Sequence, residues 1–144
     1  MHVVEATSGA TLVDDTYNAS PVSVGAALDF LDETPVSSGR RRIAVLGDML
    51  ELGPDEERLH REVGVRAAAV ADAIVAVGPR GRWMADAARS AGHSRVSMAE
   101  DADEAAALLE RDVAPGPGDI VLLKASRGIG LDRAVELLAV ERPA

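Results

Sequence analysis

Residues 124–130 bring several groups that can hold an anion close together. Lys124 is the only lysine of the 144-residue chain and follows four apolar residues, so its ammonium should emerge at the end of a strand. Ser126 adds a hydroxyl, and Arg127 adds a planar fork that suits carboxylate or phosphate. Two glycines in the same segment let the backbone approach a ligand closely. The segment predicts an anion-binding site, although a polar turn closed by glycines is the alternative interpretation.

A second set of chemically useful side chains lies in residues 12–21, with the sequence LVDDTYNASP. Asp14 and Asp15 stand at the end of a short apolar run, where carboxylates can bind Mg²⁺ or accept hydrogen bonds from ribose hydroxyls. Tyr17 offers a ring on which a base can stack, and Asn18 offers both a donor and an acceptor. An ordinary turn, with Tyr17 in the core, is the alternative.

Residues 46–53, with the sequence LGDMLELG, carry Asp48 and Glu51 between two glycines. Their apolar side chains are unusual for a loop and predict a segment that packs on the domain or against a neighbour. His60 follows nine residues after Glu51, on the next predicted helix. The alternatives are a core-packed connection with its acids in water and a structural histidine, because neither other histidine stands at ligand spacing from His60.

Strand-length apolar runs alternate with helix-length segments along the chain. The first two runs flank a Ser-Gly pair and predict an N-terminal hairpin, and the later runs are continuous, as in strands covered on both faces. Ser20 and Pro21 predict the start of the first helix, because the first N–H groups of a helix lack internal partners. The predicted strands centre on residues 3–4, 11–13, 43–46, 74–77, 95–98 and 120–123, and the predicted helices on residues 21–31, 55–70, 80–91, 102–112 and 131–141.

This alternation predicts an α/β fold, a Rossmann-like three-layer domain with a mainly parallel sheet of about six strands and an N-terminal hairpin. Neither an internal repeat nor a low-complexity linker divides the sequence, so we expect residues 1–144 to form one domain. Ligands of such sheets bind beyond the carboxyl ends of the strands. Residues 14–20, 47–53 and 124–130 all occupy that position and are called the first, second and third segments in chain order. We expect these three segments to meet along one rim.

Composition excludes several classes of protein. The net charge of −9 argues against nucleic-acid binding, which needs a basic face. The chain has no cysteine, so disulfides and thiolate metal sites are excluded and a reducing cytoplasmic location is permitted. The sequence contains no apolar segment long enough to predict a membrane span. The sequence also lacks a P-loop, so a triphosphate would be only partly held by this chain.

Together and in this order, the three segments resemble the C-terminal domain of the Mur ligases, above all the branch that adds D-alanyl-D-alanine to a UDP-N-acetylmuramoyl-tripeptide. The motifs DDxYNANP, GDMxELG with a histidine about nine residues on, and KGSR stand here as DDTYNASP, GDMLELG with His60, and KASR. The resemblance covers about residues 3–140. Ser20 replaces the second asparagine of the first motif, and Ala125 replaces the glycine of the last.

The resemblance implies an ATP-dependent, amide-forming ligase of peptidoglycan synthesis in the cytoplasm. Such ligases activate a substrate carboxylate as an acyl phosphate, and the amine of the incoming dipeptide then displaces phosphate. Family members contain two further domains, one for the UDP-sugar and a central ATPase with the P-loop, which would hold most of the ATP and the Mg²⁺. Because only the last domain is represented in residues 1–144, we expect no ligase turnover from these residues alone.

The resemblance also implies roles for two groups of residues. The first group would bind the nucleotide, with Asp15 on the ribose and with Tyr17 and Asn18 beside the adenine. The second group would face D-alanyl-D-alanine and its carboxylate, and it consists of Lys124, Ser126 and Arg127. None of these residues resembles a strong general base, so electrostatics and positioning would carry the catalysis, and the metal ligands are expected mainly on the central domain.

Two other functions remain open at this point. A phosphoacceptor receiver domain also has an acidic pair, a further aspartate and a late lysine, which Asp14, Asp15, Asp48 and Lys124 would supply. Three features argue against a receiver. A hairpin precedes the acidic pair, and Ala125 follows the lysine where a receiver usually has proline. A receiver also leaves the YNASP and ELG stretches unexplained. A free-standing nucleotide-binding module is the other alternative.

Overall fold

The chain forms one six-stranded sheet with helices on both faces, seen in a computed structural model that describes residues 1–140. The strands are β1 (His2–Glu5), β2 (Thr11–Asp15), β3 (Arg42–Gly47), β4 (Ala73–Val77), β5 (Val96–Ala99) and β6 (Ile120–Lys124). The helices are α1 (Pro21–Glu33), α2 (Glu56–Val70), α3 (Gly81–Ser90), α4 (Ala102–Leu108) and α5 (Asp132–Leu138). The predicted α/β class, the N-terminal hairpin and the six strands are confirmed.

The order of the strands in the sheet is β1-β2-β6-β3-β4-β5. β1 runs antiparallel to β2, and every other neighbouring pair is parallel. The last strand of the chain therefore lies inside the sheet, between β2 and β3. A receiver domain has the order 2-1-3-4-5, with its last strand at an edge. This topology excludes the receiver alternative.

Two apolar cores, one on each face of the sheet, hold the helices in place. α1, α2 and α3 pack on one face, and α4 and α5 pack on the other. The chain moves across the sheet in one direction from β2 to β5 and then returns to β6. Because crossovers between parallel strands are right-handed, this reversal places α4 on the opposite face. The connections that leave β6 and its two neighbours consequently diverge, which opens a crevice at the carboxyl end of β6.

Helix α1 begins where the sequence predicts. The side chain of Ser20 accepts a hydrogen bond from the N–H of Ser23, and Pro21 lies in the first turn. Serine at this position thus caps the helix as an asparagine would. Within residues 1–140, no helix is both long and apolar enough to cross a membrane.

The last two predicted helices need correction. The helix predicted at residues 102–112 is α4 followed by a π turn at Leu109–Val113. The helix predicted at residues 131–141 begins only at Asp132, after a 3-10 turn at Arg127–Ile129, and ends at Leu138. It ends there because the next residue, Ala139, joins a β-bridge with the hairpin. Its predicted last residue, 141, lies outside the described residues.

Helices α2 and α3 approach closely because a glycine faces the backbone of its partner. A Cβ added at Gly64 would collide with the main-chain carbonyl of Met84, which cannot move aside as a flexible side chain would.

We expect Gly64→Ala to lower the free energy of unfolding by about 1–3 kcal/mol, as overpacking does. Gly25→Ala is the matched control, since a Cβ at Gly25 in α1 meets open space. It should raise stability by about 0.4–1 kcal/mol through the unfolded state. Urea unfolding measures both variants, and equal losses would contradict this packing.

A buried carboxylate fixes the loop that leads into β6. Asp119 accepts hydrogen bonds from the N–H groups of Arg41 and Gly116, and it pairs with the Arg41 guanidinium at 3.0 Å. Burial alone raises the pKa of Asp119, but these hydrogen bonds outweigh burial and leave the pKa below its ordinary value. The carboxylate form is therefore the one that the fold stabilises.

The Asp119 interactions predict a pH-dependent stability. Because the folded-state pKa lies below the unfolded value of about 3.9, this contribution is present above the unfolded pKa and is lost as pH falls through the folded pKa. We expect Asp119→Asn to lower the free energy of unfolding by about 1.5–3 kcal/mol at pH 7. The NH₂ group of asparagine would face N–H groups that now donate to the carboxylate, so those hydrogen bonds would be lost. The gap between variant and wild type should shrink towards pH 3 in urea unfolding. A cost that is independent of pH would contradict this assignment.

Candidate functional site

The inner position of β6 brings the three predicted segments together. In the ladders, Lys124 lies level with Asp15 of β2 on one side and with Leu46 of β3 on the other. Segments that are far apart in sequence therefore leave the sheet side by side, at the carboxyl ends of adjacent strands. The prediction that they meet along one rim is confirmed.

Lys124 joins the last strand to the first segment. Its ammonium donates hydrogen bonds to Asp15 Oδ2 at 2.8 Å and to the main-chain oxygen of Asn18 at 2.9 Å. The Lys124 side chain is only 4% exposed, whereas that of Asp15 is 19% exposed. The direct contact between Lys124 and a ligand carboxylate stays a prediction, because the ammonium here binds two protein oxygens.

Ser126 connects all three segments and is buried. Its hydroxyl oxygen accepts a hydrogen bond from the N–H of Leu50 at 2.9 Å and lies 3.4 Å from the carbonyl oxygen of Ala19, to which it donates. Its own N–H donates to the carbonyl oxygen of Asp48 at 3.0 Å. Ser126 thus fixes the relative positions of the loops around the rim.

Ala125, which stands where the family motif has glycine, is accommodated by a glycine on the neighbouring strand. A Cβ at Gly47 would lie only 2.5 Å from the Cβ of Ala125, which is fully buried. The missing side chain of Gly47 therefore leaves the space that Ala125 fills. The exchange of glycine for alanine leaves the close approach of the two strands intact.

An open groove of about 980 Å³ lies above the pair formed by Asp15 and Lys124. Tyr17 is 74% exposed on its wall, and the guanidinium carbon of Arg127 lies 5.4 Å from the centre of the Tyr17 ring. Asp14 is occupied within its own turn, where its carboxylate accepts hydrogen bonds from the N–H and hydroxyl of Thr16. The groups that line the groove include an aromatic ring, an amide, the carboxylates of Asp15 and Asp132, and an exposed guanidinium.

The second segment is held by an ion pair between a buried carboxylate and a partly exposed arginine, which the sequence did not predict. Asp48 is fully buried and accepts hydrogen bonds from the N–H of Arg80 at 3.0 Å and from its guanidinium at 3.2 Å. Arg80 also pairs with Glu56 at 2.7 Å. Burial raises the pKa of Asp48, while the Arg80 hydrogen bonds act in the opposite direction. The one feature of the sequence that could have indicated this role of Arg80 is its position just after the end of β4.

His60 has a structural role at the same loop. Its Nε2 accepts a hydrogen bond from the N–H of Met49 at 3.0 Å, and its Nδ1 lies 2.6 Å from the carbonyl oxygen of Glu56, which can only accept. These partners assign the neutral tautomer with the proton on Nδ1. His60 and Met49 are both buried, which confirms that the apolar loop packs on its own domain. Glu51 is exposed and adopts a left-handed backbone with φ 64°.

The fold and the rim define a doubly wound α/β domain whose strand ends carry an open groove beside an exposed arginine. Comparison with known protein families identifies the family to which this domain belongs. The family described as "Mur ligase, glutamate ligase domain" matches residues 1–127. The chain therefore belongs to the Mur ligase family.

Curated relatives carry the name UDP-N-acetylmuramoyl-tripeptide–D-alanyl-D-alanine ligase. The protein of that name from Bacillus subtilis is 37% identical over 99% of this chain and 31% of its own length. The one from Mycobacterium leprae is 36% identical over 96% of this chain and 29% of its own length. The chain thus spans about three tenths of the length of these relatives.

Solved structures give the same result. A MurF ligase from Thermotoga maritima, crystallised in complex with ADP, matches 94% of this chain with a TM-score of 0.76 and 31% identity. A MurF structure from Acinetobacter baumannii matches 95% with a TM-score of 0.72 and 27% identity. Each match covers 29% of the solved chain. The predicted Rossmann-like fold and the resemblance to the Mur ligase C-terminal domain are confirmed.

Proposed function

We propose that the chain is the C-terminal domain of an ATP-dependent ligase that joins D-alanyl-D-alanine to UDP-N-acetylmuramoyl-tripeptide in peptidoglycan synthesis. The observation that carries this proposal is the likeness to ligases of that one name along nearly the whole chain, at 37% identity for the Bacillus subtilis protein. The convergence of the three motif segments on one rim supports it independently. The reaction would take place in the cytoplasm, where ATP and the UDP-linked precursor are available.

The nucleotide would bind in the groove above β2. Asp15 would accept hydrogen bonds from the ribose hydroxyls, because its carboxylate lies at the groove floor and remains partly exposed. Tyr17 would stack on the adenine and Asn18 would bond to its edge, since both side chains stand exposed at the groove wall. The groove volume of about 980 Å³ is ample for a nucleoside with part of its phosphates.

Mg²⁺ would be held mainly outside this domain. Within residues 1–140, no group of three histidine, aspartate or glutamate side chains is arranged to hold a metal ion. Asp14 and Asp15 already accept hydrogen bonds from Thr16 and Lys124. The residues described therefore do not fit a complete Mg²⁺ site.

The carboxylate of D-alanyl-D-alanine would bind at the third segment. Arg127 is the exposed cation there, and its planar fork suits a terminal carboxylate. Ser126 and Lys124 belong to the same segment and are buried, so they hold the backbone from which Arg127 reaches the ligand. Ligation would then depend on positioning two substrates and stabilising charge, completed when the domains close.

Because the chain spans only about three tenths of its relatives, turnover would need the remainder of the enzyme. The test is a chimeric ligase in which residues 1–144 replace the matching 31% of the Bacillus subtilis protein. We expect phosphate release that requires ATP, UDP-N-acetylmuramoyl-tripeptide and D-alanyl-D-alanine together, and none from residues 1–144 alone. The unaltered Bacillus subtilis protein is the control. A folded chimera that binds ATP yet releases no phosphate with both substrates would contradict the proposal.

A further inference from the structure

We infer that Lys124 is a positioning residue for the nucleotide side of the site, and not a ligand for the dipeptide carboxylate. This inference rests on the proposed function and assigns the lysine to the nucleotide instead of the dipeptide. It starts from the two acceptors that the ammonium already has, Asp15 and the main chain of Asn18. Both acceptors belong to the segment proposed to bind the nucleotide, and neither belongs to the third segment.

The contact between Lys124 and Asp15 follows from strand register. The two residues face each other at the last position of the parallel ladder between β2 and β6, so their side chains rise from the same face of the sheet. Asn18 lies three residues further on, beyond the end of the strand. One ammonium therefore holds both the final residue of β2 and the turn that follows it. Tyr17 lies between these two anchor points, and its place on the groove wall depends on them.

The geometry leaves one oxygen of Asp15 for a ligand. Oδ2 receives the Lys124 hydrogen bond, while Oδ1 lies 3.9 Å from the amino group of Met1 and belongs to a side chain that lines the groove. A carboxylate held by one oxygen presents the other in a fixed direction, which suits a ribose hydroxyl. The lysine also neutralises Asp15, which would otherwise repel a polyphosphate nearby.

Direct binding of the dipeptide by Lys124 would be costly. The side chain is 4% exposed, and a ligand carboxylate would have to take the ammonium from a partner at 2.8 Å. Displacement would leave the Asp15 carboxylate without its cation in a partly buried position. Arg127, by contrast, is exposed and reaches the groove without breaking an ion pair among residues 1–140. The two cations of this rim thus serve different substrates.

The experiment compares Lys124→Met, Asp15→Asn and the double variant. In a titration of the 144-residue chain with ADP followed by NMR, we expect each single variant to weaken binding about tenfold, as loss of a charge-assisted contact does. The double variant should bind no more weakly than either single variant, because the two residues act as one unit. Thermal unfolding checks that each variant folds, and the double variant removes the unpaired carboxylate that could unfold Lys124→Met. ADP affinity unchanged in Lys124→Met would overturn the inference.

The same variants in the chimeric ligase separate this inference from the proposed function. We expect Lys124→Met to raise KM for ATP and to leave KM for D-alanyl-D-alanine nearly unchanged. An active chimera in which Lys124→Met raises KM for the dipeptide alone would overturn the inference and leave the function intact. A chimera without turnover, whose isolated domain still shows the ADP pattern above, would overturn the function and leave the role of Lys124 intact.

Discussion

Replacing Arg80 with alanine should destabilise the domain by about 3 kcal/mol at pH 7, because it leaves a buried carboxylate without its partly exposed cation. The variant leaves the carboxylate of Asp48 fully buried and removes one of the two hydrogen bonds that it accepts from Arg80, the one donated by the guanidinium. The main-chain N–H of residue 80 survives the substitution, so the loss lies in the guanidinium. Urea unfolding of wild type and variant measures the difference.

The pH dependence of that loss identifies its cause. Burial already raises the pKa of Asp48, and Arg80 opposes burial, so its removal should raise the pKa further. A carboxyl whose folded-state pKa lies above the unfolded value costs stability as pH rises through the folded pKa. The cost of Arg80→Ala should therefore be smaller at pH 4 than at pH 7. Arg82→Ala, an exposed arginine of the same helix region, is the control and should change little. A similar loss in both variants would contradict a specific role for Arg80.

Replacing Arg127 with alanine in the chimeric ligase should raise KM for D-alanyl-D-alanine by roughly 10- to 100-fold, the equivalent of one charge-assisted hydrogen bond. KM for ATP should change far less, because the proposed nucleotide contacts come from the segment after β2. Arg127 is exposed, and its guanidinium contacts the exposed Tyr17 ring without an ion pair to residues 1–140, so the fold should tolerate the change. Steady-state phosphate release, with each substrate varied in turn, measures the two constants.

A substrate without the carboxylate sharpens this test. The wild-type chimera should prefer D-alanyl-D-alanine over its C-terminal amide, and Arg127→Ala should lose most of that preference. Arg133→Ala is the matched control, because Arg133 is exposed on α5 and its ion pairs within residues 1–140 are with Asp103 and Glu136, away from the third segment. A rise in KM for ATP with the dipeptide KM unchanged would refute the assignment of this residue.

Much of the fold follows from local patterns in the sequence. Continuous apolar runs such as residues 120–123 predict buried strands, and the cap at Ser20 predicts the start of α1 to the residue. The position of β6 between β2 and β3 could not be predicted in this way, because strand order depends on long-range packing. That order nevertheless decides which loops become neighbours, and it is what sets the receiver alternative aside.

The sequence predicted where the three segments of the candidate site meet, but it did not predict all the contacts between them. The rule that ligands bind at carboxyl strand ends selected all three segments. It could not show that the ammonium of Lys124 is satisfied by Asp15, since that contact depends on the register of two strands 109 residues apart. Arg80 was missed for a similar reason, because a single arginine after β4 gives no sign that it pairs with a buried aspartate.

Hydrogen–deuterium exchange of the chimeric ligase tests the central claim, that one rim of this domain holds the nucleotide at one place and the dipeptide at another. The account predicts that ADP slows exchange in residues 14–20, and that D-alanyl-D-alanine added with nucleotide and UDP-precursor slows exchange in residues 124–130. Residues 115–119, at the opposite end of β6, serve as the internal control and should not respond to either ligand directly. Protection by both ligands confined to segments outside residues 1–140 would contradict the account.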